Sequence, residues 1–213
     1  MLARPTLARA WRVRGPGSPC FRPRLVVTSA VASATPARPP ARAVRPTPLK
    51  LIHVSKPDAT VDALVAEWAA KVRRYAPLED VSIRPNPGRA ADPAAAVASE
   101  GARVLKALGP SDVVVALDER GKEATSASIA DLLAAAGGAG AGASSALEVR
   151  GGPSASLVFL VGGPFGHAPA VRARADATLR LSGCVLNHAI ARVVLVEQLY
   201  RGWTILRGEP YHH

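Results

Sequence analysis

The sequence is poor in cysteine and in aromatic residues, and it has no long apolar run. Two cysteines occur in 213 residues, and Cys20 lies in an N-terminal segment whose composition differs from the rest. Cys184 alone cannot form an internal disulfide in the remaining chain, which suits a reducing compartment. No apolar run approaches the ~18 residues that a membrane-spanning helix requires, so we expect no membrane partner.

Motifs of several common catalytic sites are also missing. The chain has neither the Gly-x-x-x-x-Gly-Lys-Ser/Thr loop that cradles phosphates nor the Gly-x-Ser-x-Gly elbow of serine hydrolases. Its "GGPFG" run lies late in the chain and lacks the spacing of a dinucleotide fingerprint. Because His53, His167 and His188 do not have metal-site spacing and no Cys–His cluster accompanies them, we predict no metal.

Acidic residues and lysine are absent from residues 1–47, which carry nine arginines. The rest of the chain has 27 − 9 = 18 basic residues against 16 acids, so only +2 of the net charge of +11 belongs to it. A segment rich in Arg, Ala, Pro, Ser and Thr without hydrophobic periodicity is typical of a disordered organelle transit peptide. We predict that this segment targets the protein to the chloroplast, with the mitochondrion as the alternative. An ordinary basic tail also fits this composition.

Residues 48–213 alternate between strand-like and helix-like runs, which predicts a single α/β domain with a mostly parallel sheet flanked by helices. The strand-like runs are "LKLIHV", "DVVVALD", "SLVFLV" and "LRLSGCVL". The helix-like runs are residues 59–76, with Val61, Leu64, Val65, Trp68 and Val72 on one face, and residues 92–108, 126–136, 168–177 and 187–203. Asp92 and Asn187 are predicted N-caps, with Pro93 at a first helical position. The Gly/Ala/Ser-rich residues 137–156 indicate a flexible surface insertion.

Three segments with glycine accompany the ends of predicted strands: "VALDERGK", "LVGGPFGH" and "LSGCVLNH". Parallel sheets bind ligands beyond the carboxyl ends of their strands. Glycine lets a backbone approach a ligand closely, but it serves ordinary turns equally well. We therefore place a candidate ligand site at these ends and keep the turn interpretation open.

Basic residues concentrate towards the C-terminus. Residues 150–213 carry seven arginines against three acids, whereas residues 48–149 carry eleven basic residues against thirteen acids. Arginine pairs well with phosphate, so this surface suits a polyanionic substrate, with Arg192 and Arg201 as candidate RNA contacts; a solvated helix face is the alternative. The terminal "PYHH" adds groups that can stack on a base or exchange a proton near neutral pH.

The runs "LVGGPFG" and "LSGCVLNHAIARVVLVEQLYRGWTILRGEPYHH", together with "LKLIHVSK" and "VVALDERGK", resemble the RlmH family. These are large-subunit ribosomal RNA pseudouridine N3-methyltransferases of the SPOUT class. The resemblance covers roughly residues 48–213 apart from the insertion. It implies a C-terminal trefoil knot, a rare exception among folds. It also implies S-adenosylmethionine (S-adenosyl-L-methionine) as cofactor and a homodimer acting on ribosomal RNA, in the large subunit or an assembled ribosome.

The resemblance also implies roles for individual residues. Those assigned to the cofactor are Leu117, Gly162, Gly163, Leu181, Ser182, Gly183, Cys184, Val185 and Leu186. Those assigned to catalysis are His188, Tyr211 and His212, with the tail reaching an active site across the dimer interface. Methyl transfer to a ring nitrogen needs in-line placement and a group that helps to remove the imide proton.

Two positions depart from the family pattern, and both concern the substrate rather than the cofactor. His213 stands where the family often has an arginine that would hold RNA, and Asn187 stands where proline is common. Two further functions stay open: 2′-O-methylation of ribose by another SPOUT enzyme, and a non-catalytic ribosome-assembly factor that retains the fold. The Pro-Tyr-His ending favours the N3-methyltransferase.

Overall fold

Five parallel strands form one sheet in the part of the chain that the computed structural model describes, residues 41–86, 91–138 and 156–211. The strands are β1 (Leu49–Val54), β2 (Leu78–Ile83), β3 (Val113–Glu123), β4 (Leu157–Val161) and β5 (Ala177–Arg180). The helices are α1 (Ala59–Val72), α2 (Pro93–Lys106), α3 (Ser126–Ala136), α4 (Pro169–Arg174) and α5 (His188–Arg207). The sheet order is β2-β1-β4-β3-β5, and all neighbouring strands are parallel. The predicted α/β class is confirmed.

The centre of the sheet is covered on both faces. Helices α1, α3 and α5 pack on one face, around Phe159 and Trp203, and α2 and α4 pack on the other, around Val158 and Leu160. Every residue of β4 and the first four residues of β3 are buried. A strand buried on both faces has a continuous apolar run rather than an alternating pattern. This explains why the sequence identified these strands correctly.

The predicted N-caps are also confirmed. The Asp92 carboxylate accepts the backbone N–H groups of Ala94 and Ala95 at the start of α2, and Pro93 is the first helical residue. The Asn187 side chain accepts a first-turn N–H of α5 at 2.8 Å. A helix start leaves such donors without helical partners, and a short polar side chain satisfies them.

Two edge strands differ from the prediction. Strand β2 was not predicted, and the prediction of a last strand over residues 179–186 is wrong, because β5 spans Ala177–Arg180. Strand β5 stops at Arg180 because its neighbour β3 ends at Glu123, the residue paired with Arg180. Residues 181–186 consequently form a loop that leads into α5.

Residues 41–47, which the sequence analysis assigned to the transit peptide, pack against the domain. The Arg42 N–H donates to the Leu206 carbonyl at 2.7 Å, and the Arg42 guanidinium pairs with Asp131 at 2.7 Å. Val44 is buried in the same core as α3 and α5. The folded domain therefore begins before the predicted boundary at residue 48. Residues 1–40, the rest of the predicted transit peptide, lie outside the described residues.

Several predictions concern residues that lie outside the described part of the chain. Residues 139–155, most of the predicted insertion, lie outside the described residues, and so do His212 and His213. The C-terminal trefoil knot stays a prediction. Among the described helices, none combines the length and the apolar character that crossing a membrane requires.

Helix α5 ends at a left-handed glycine. Gly208 has φ 61° and ψ 36°, a conformation that favours glycine, and the next N–H, that of Glu209, returns to the Thr204 carbonyl at 2.8 Å. The chain reverses at this point. Tyr211 consequently lies back along α5, with its ring 4.8 Å from the ring of Tyr200.

Candidate active site

A cavity of about 630 Å³ opens at the carboxyl ends of β3, β4 and β5. Its lining comprises residues 117–120, 161–166, 172, 179–182, 184–188 and 191. The volume falls within the range of small-molecule sites. The position, beyond the carboxyl ends of parallel strands, is where open α/β sheets bind ligands.

Most of the residues that the resemblance assigns to the cofactor line this cavity. They are Leu117, Gly162, Gly163, Leu181, Ser182, Cys184, Val185 and Leu186. Gly183 belongs to the same loop and is exposed, but it is not part of the lining. The structure therefore brings together residues that lie up to 69 positions apart in the sequence.

The third wall of the cavity is the loop of residues 181–186 rather than a strand. The Ser182 hydroxyl accepts the Cys184 N–H at 2.9 Å, which fixes a turn within the loop. The backbone here is not consumed by sheet pairing, so its polar groups can face a ligand. Cys184 is an exposed free cysteine.

The glycines after β4 serve a tight turn. The Gly166 N–H donates to the Gly163 carbonyl at 2.9 Å, and Gly166 has φ 75°. A Cβ on Gly162 would lie 3.0 Å from the backbone carbon of Gly166, and one on Gly163 would lie 3.2 Å from Val54. A side chain at Gly162 or Gly163 would therefore point towards protein rather than into the cavity. The turn interpretation holds at these two positions.

Strand β3 bulges where it borders the cavity. Leu117 and Lys122 both pair with Leu179, so residues 118–121 loop out between them; we call these four residues the β3 bulge. A Cβ on Gly121 would lie 2.6 Å from the backbone of Leu179, which explains the glycine. The bulge brings Asp118, Glu119 and Arg120 to the cavity.

Two side chains that the sequence analysis did not assign to the site hold the bulge. The Nε2 atom of His167 lies 3.0 Å from the Leu117 carbonyl oxygen, and the His167 side chain is buried. The Arg172 guanidinium pairs with Asp118 at 3.2 Å. Burial lowers the pKa of His167 below 6.5, which outweighs the hydrogen bond to Leu117 and the nearby Asp118 carboxylate.

His188 is the predicted catalytic residue that lines the cavity. It is the first residue of α5, it is half-buried, and it follows the N-cap Asn187 directly. This position puts an imidazole at the mouth, within the same wall as residues 181–186. The geometry therefore allows His188 to exchange a proton with a substrate in the cavity.

Tyr211 does not lie at the cavity of its own chain. Its hydroxyl donates to Glu197 at 3.1 Å, and the Arg201 guanidinium lies 4.6 Å from its ring centre. Burial, followed by the hydrogen bond to Glu197, raises the pKa of Tyr211 above 10. Glu197 is nine residues after His188, which corresponds to about 13 Å along the helix axis. Arg201 also pairs with Glu197, at 2.9 Å.

Arg192 is buried, which corrects its prediction as an RNA contact. Its guanidinium donates to Asp62 at 2.6 Å and to Asp80 at 2.7 Å, and His53 lies 3.2 Å from the other Asp80 oxygen. We call these four residues the far cluster, because they lie at the β1 and β2 end of the sheet. The hydrogen bond from Arg192 lowers the pKa of Asp62 below 3.8. Burial raises the pKa of Asp80, but hydrogen bonds from His53 and Arg192 outweigh it.

The cavity mouth carries charges of both signs. Arg120 is well exposed, and Arg180 pairs with Glu123 at 2.9 Å beside it. Within the described ranges, no group of three His, Cys, Asp or Glu side chains is arranged to hold a metal ion. The groups that face this cavity are backbone groups, apolar side chains and the charged side chains of the bulge.

Comparisons with known proteins identify the family of this chain. The family model described as "Predicted SPOUT methyltransferase" matches residues 48–212. An Arabidopsis thaliana protein described as an RNA methyltransferase is 44% identical over 81% of this chain and 83% of its own length. A protein of Geobacter sp. strain M21 named ribosomal RNA large subunit methyltransferase H is 38% identical to this chain. The match covers 78% of this chain and 98% of the Geobacter protein. The corresponding protein of Solidesulfovibrio magneticus is 43% identical, over 70% and 86%. The chain belongs to the SPOUT methyltransferase family.

Proposed function

We propose that this chain transfers a methyl group from S-adenosylmethionine to N3 of a pseudouridine in large-subunit ribosomal RNA. Family membership makes it a methyltransferase that uses S-adenosylmethionine and acts on RNA. The observation that carries the proposal is the cavity, because eight of the nine residues that the resemblance assigns to the cofactor line it. The relatives named for the large ribosomal subunit support the choice of substrate.

The cavity has the features that S-adenosylmethionine requires. Leu117, Leu181 and Leu186 provide apolar walls for an adenine ring, and the loop of residues 181–186 offers backbone groups for its polar edge. Asp118 and Glu119 bring carboxylates to the same space, and these suit a ligand with cationic groups. When bound, the cofactor supplies a methyl group made electrophilic by the sulfonium.

The protein's own contribution is placement and the handling of one proton. The loop of residues 181–186 and the β3 bulge orient the reactants, which is the main requirement of an in-line transfer. His188 at the mouth accepts the imide proton or stabilises the anion that its loss creates. Tyr211, whose pKa is raised, donates a hydrogen bond rather than acting as a base. We keep His212 as a further catalytic residue, and Arg201 and His213 as RNA contacts. Arg120, which is well exposed at the mouth of the cavity, is added to these contacts.

We further propose that the chain is a homodimer and that each tail serves its partner's cavity. The position of Tyr211 along α5 keeps it from the cavity of its own chain. Large apolar side chains are exposed around the mouth: Phe165 is 64%, Val185 79% and Ile190 51% exposed. Leu64, which the sequence placed on the apolar face of α1, is 44% exposed. Burial of these side chains in a dimer would remove them from water.

The binding test uses the full chain and S-adenosylmethionine in calorimetric titration. Ser182→Trp puts bulk into the lining, whereas Ala70→Trp adds the same bulk at an exposed position on α1. We expect Ser182→Trp to weaken binding by more than about tenfold, equivalent to about 1.4 kcal/mol, and Ala70→Trp to leave it unchanged. Equal affinities for both variants would place the cofactor elsewhere.

The reaction test measures methyl transfer to isolated ribosomes and to free ribosomal RNA, followed by nucleoside mass spectrometry. N3-methylpseudouridine in the large-subunit RNA is the expected product. A 2′-O-methylated nucleoside would overturn the base chemistry. Cofactor binding without transfer to any ribosomal substrate would favour the assembly-factor function.

Mixing two inactive variants tests the exchanged tails. Ser182→Trp supplies an intact tail, and Tyr211→Ala supplies an intact cavity. If tails act across the dimer, the mixture regains part of the activity that each variant lacks. No recovery in a mixture that forms mixed dimers would contradict this arrangement.

We propose a chloroplast location, with cleavage of the transit peptide before Arg42. The composition of residues 1–47 supports the address, and the packing of Val44 in the core supports the position of the cut. Import of the full chain into isolated chloroplasts and mitochondria, followed by N-terminal sequencing, tests both statements. A mature protein that begins after Val44 would contradict the second.

A further inference from the structure

Helix α4 and the segment that leads into it each contribute one side chain that contacts the start of the β3 bulge. His167 lies just after the glycine turn, and its Nε2 atom is 3.0 Å from the Leu117 carbonyl oxygen. Arg172 lies on α4, and its guanidinium is 3.2 Å from the Asp118 carboxylate. Leu117 and Asp118 are consecutive, so the two contacts hold both sides of the peptide bond at which the bulge begins.

The His167 contact closes the end of a strand ladder. Leu117 pairs with Val161 on one side and with Leu179 on the other, and pairing with β5 is interrupted directly afterwards by the bulge. A half-buried backbone carbonyl at such an interruption is satisfied by another donor. His167, a residue that is 7% exposed, places its ring where it can provide that donor.

The Arg172 contact stabilises the inside of the bulge. The Asp118 side chain is only 10% exposed, and one of its oxygens accepts the Arg120 N–H at 3.0 Å. Arg172 itself is 42% exposed, so its ion pair is screened more than a buried pair. Of the two contacts, the buried one from His167 should have the larger effect.

Burial has the largest influence on the protonation of His167, and the surrounding groups have a smaller one. Asp118 and Arg172 face it, and the carbonyl groups of Leu117 and Leu160 are its backbone neighbours. Burial lowers its pKa, so the ring is neutral at pH 7. Because the Leu117 carbonyl can only accept, Nε2 carries the ring proton. A neutral donor of similar reach, such as the glutamine amide, should therefore replace it.

We propose that His167 and Arg172 are positioning residues for the methyl donor: they clamp the start of the β3 bulge and so fix the Leu117 wall of the cavity. His167 is not part of the cavity lining, whereas Arg172 is part of it. His167 acts through the Leu117 carbonyl, and Arg172 acts through Asp118. This inference rests on the proposed function, because it assumes that the cavity holds S-adenosylmethionine.

The experiment measures the Kd of S-adenosylmethionine for the full chain by calorimetry. His167→Leu removes the donor and keeps an apolar side chain, whereas His167→Gln keeps a neutral donor. We expect Kd to rise about five- to tenfold in His167→Leu, and to stay within about twofold of the parent in His167→Gln. Arg172→Met should raise Kd by about twofold, and less so in high salt.

The matched control is Asp176→Ala. Asp176 accepts the Val114 N–H at 2.8 Å, so it also holds the β3 backbone, but near the amino end of the strand and away from the cavity. This variant should lower the free energy of unfolding without changing Kd. A rise in Kd equal to that of His167→Leu would show that general loss of stability explains both, and would overturn the clamp.

Hydrogen exchange separates failure of the clamp from failure of the proposed function. His167→Leu should speed exchange of the backbone amides of residues 117–123, whereas His167→Gln and Asp176→Ala should not. If the parent binds no S-adenosylmethionine but this pattern appears, the clamp stands and the proposed function fails. If a folded His167→Leu binds the cofactor like the parent, or His167→Gln loses as much affinity as His167→Leu, the proposal is wrong.

Discussion

The two ends of the sheet are built in different ways. At the β1 and β2 end, the side chains of the far cluster pair with one another: Arg192 reaches both Asp62 and Asp80, and His53 approaches Asp80 from the other side. At the β3, β4 and β5 end, the edge is open, and a cavity of about 630 Å³ lies there.

Both ends use histidine, aspartate and arginine, but for different purposes. In the far cluster these side chains pair with one another. Beside the cavity, His167 holds a backbone carbonyl and Arg172 holds the first residue of the β3 bulge. The comparison teaches that the same residue types can close one part of a sheet edge and frame an opening in another. We expect substitutions at the far cluster to change stability and substitutions at the bulge to change binding.

The largest effect is expected for Arg192→Met. Removal of the guanidinium leaves Asp62 and Asp80 without their shared cation, and breaking a buried pair costs about 3–5 kcal/mol. Because the Asp62 side chain is 42% exposed and that of Asp80 23%, we expect a loss of about 2–3 kcal/mol in the free energy of unfolding. Urea unfolding measures it. Cofactor affinity should stay within twofold, and a tenfold change would show that the two ends are coupled.

A smaller loss of stability, joined to a loss of binding, is expected for Gly121→Ala. The new Cβ would lie 2.6 Å from the Leu179 backbone, so β5 or the bulge must move, at a cost of about 1–3 kcal/mol. Since Leu179 also pairs with Leu117, the cavity wall should shift and weaken cofactor binding.

Gly109→Ala is the control for this substitution. Its Cβ would meet the flexible Asp112 side chain at 3.3 Å, outside the cavity. Denaturant unfolding and calorimetry on both variants test the comparison. Equal loss of binding in both would contradict it.

The smallest expected effect is a pH dependence that belongs to the cavity end. Burial lowers the pKa of His167, so the unfolded chain takes up this proton more readily than the folded chain as the pH falls. This contribution to stability is complete above about pH 6.5 and is lost below it. Asp118 and Arg172 face the ring with opposite charges. Unfolding between pH 5 and 8 should show a shallower fall for His167→Gln than for the parent, and parallel curves would contradict this.

The buried parts of the fold were the easiest to predict. The apolar runs of β3 and β4 and the Asp92–Pro93 start of α2 have local causes: burial on both faces and a side-chain cap. Strand β2 was missed because it lies at an edge, where Glu79 and Asp80 remain in a strand with one neighbour. The sequence of β2 has no continuous apolar run of the kind that marks a strand buried on both faces.

The site was predictable only in part, because its main contacts join distant positions. The resemblance to the RlmH family assigned residues 162–163 and 181–186 to the cofactor, and all of these except Gly183 line the cavity. No local pattern could pair Arg192 with Asp62, which is 130 residues away, or His167 with the Leu117 carbonyl, which is 50 residues away. An arginine in a basic segment predicts an exposed contact, and only the folded chain reveals its buried carboxylate partners.

The left-handed Gly208 determines where the end of the chain can act. It reverses the backbone after α5, so Tyr211 packs against Trp68 of α1 and Tyr200 of α5 instead of extending the helix axis into solvent. A side chain at this position would favour continued helix, and each added turn would carry Tyr211 about 5.4 Å further outward. The reach of the terminal residues is thus set by the left-handed backbone conformation of Gly208 as much as by the number of residues that follow it.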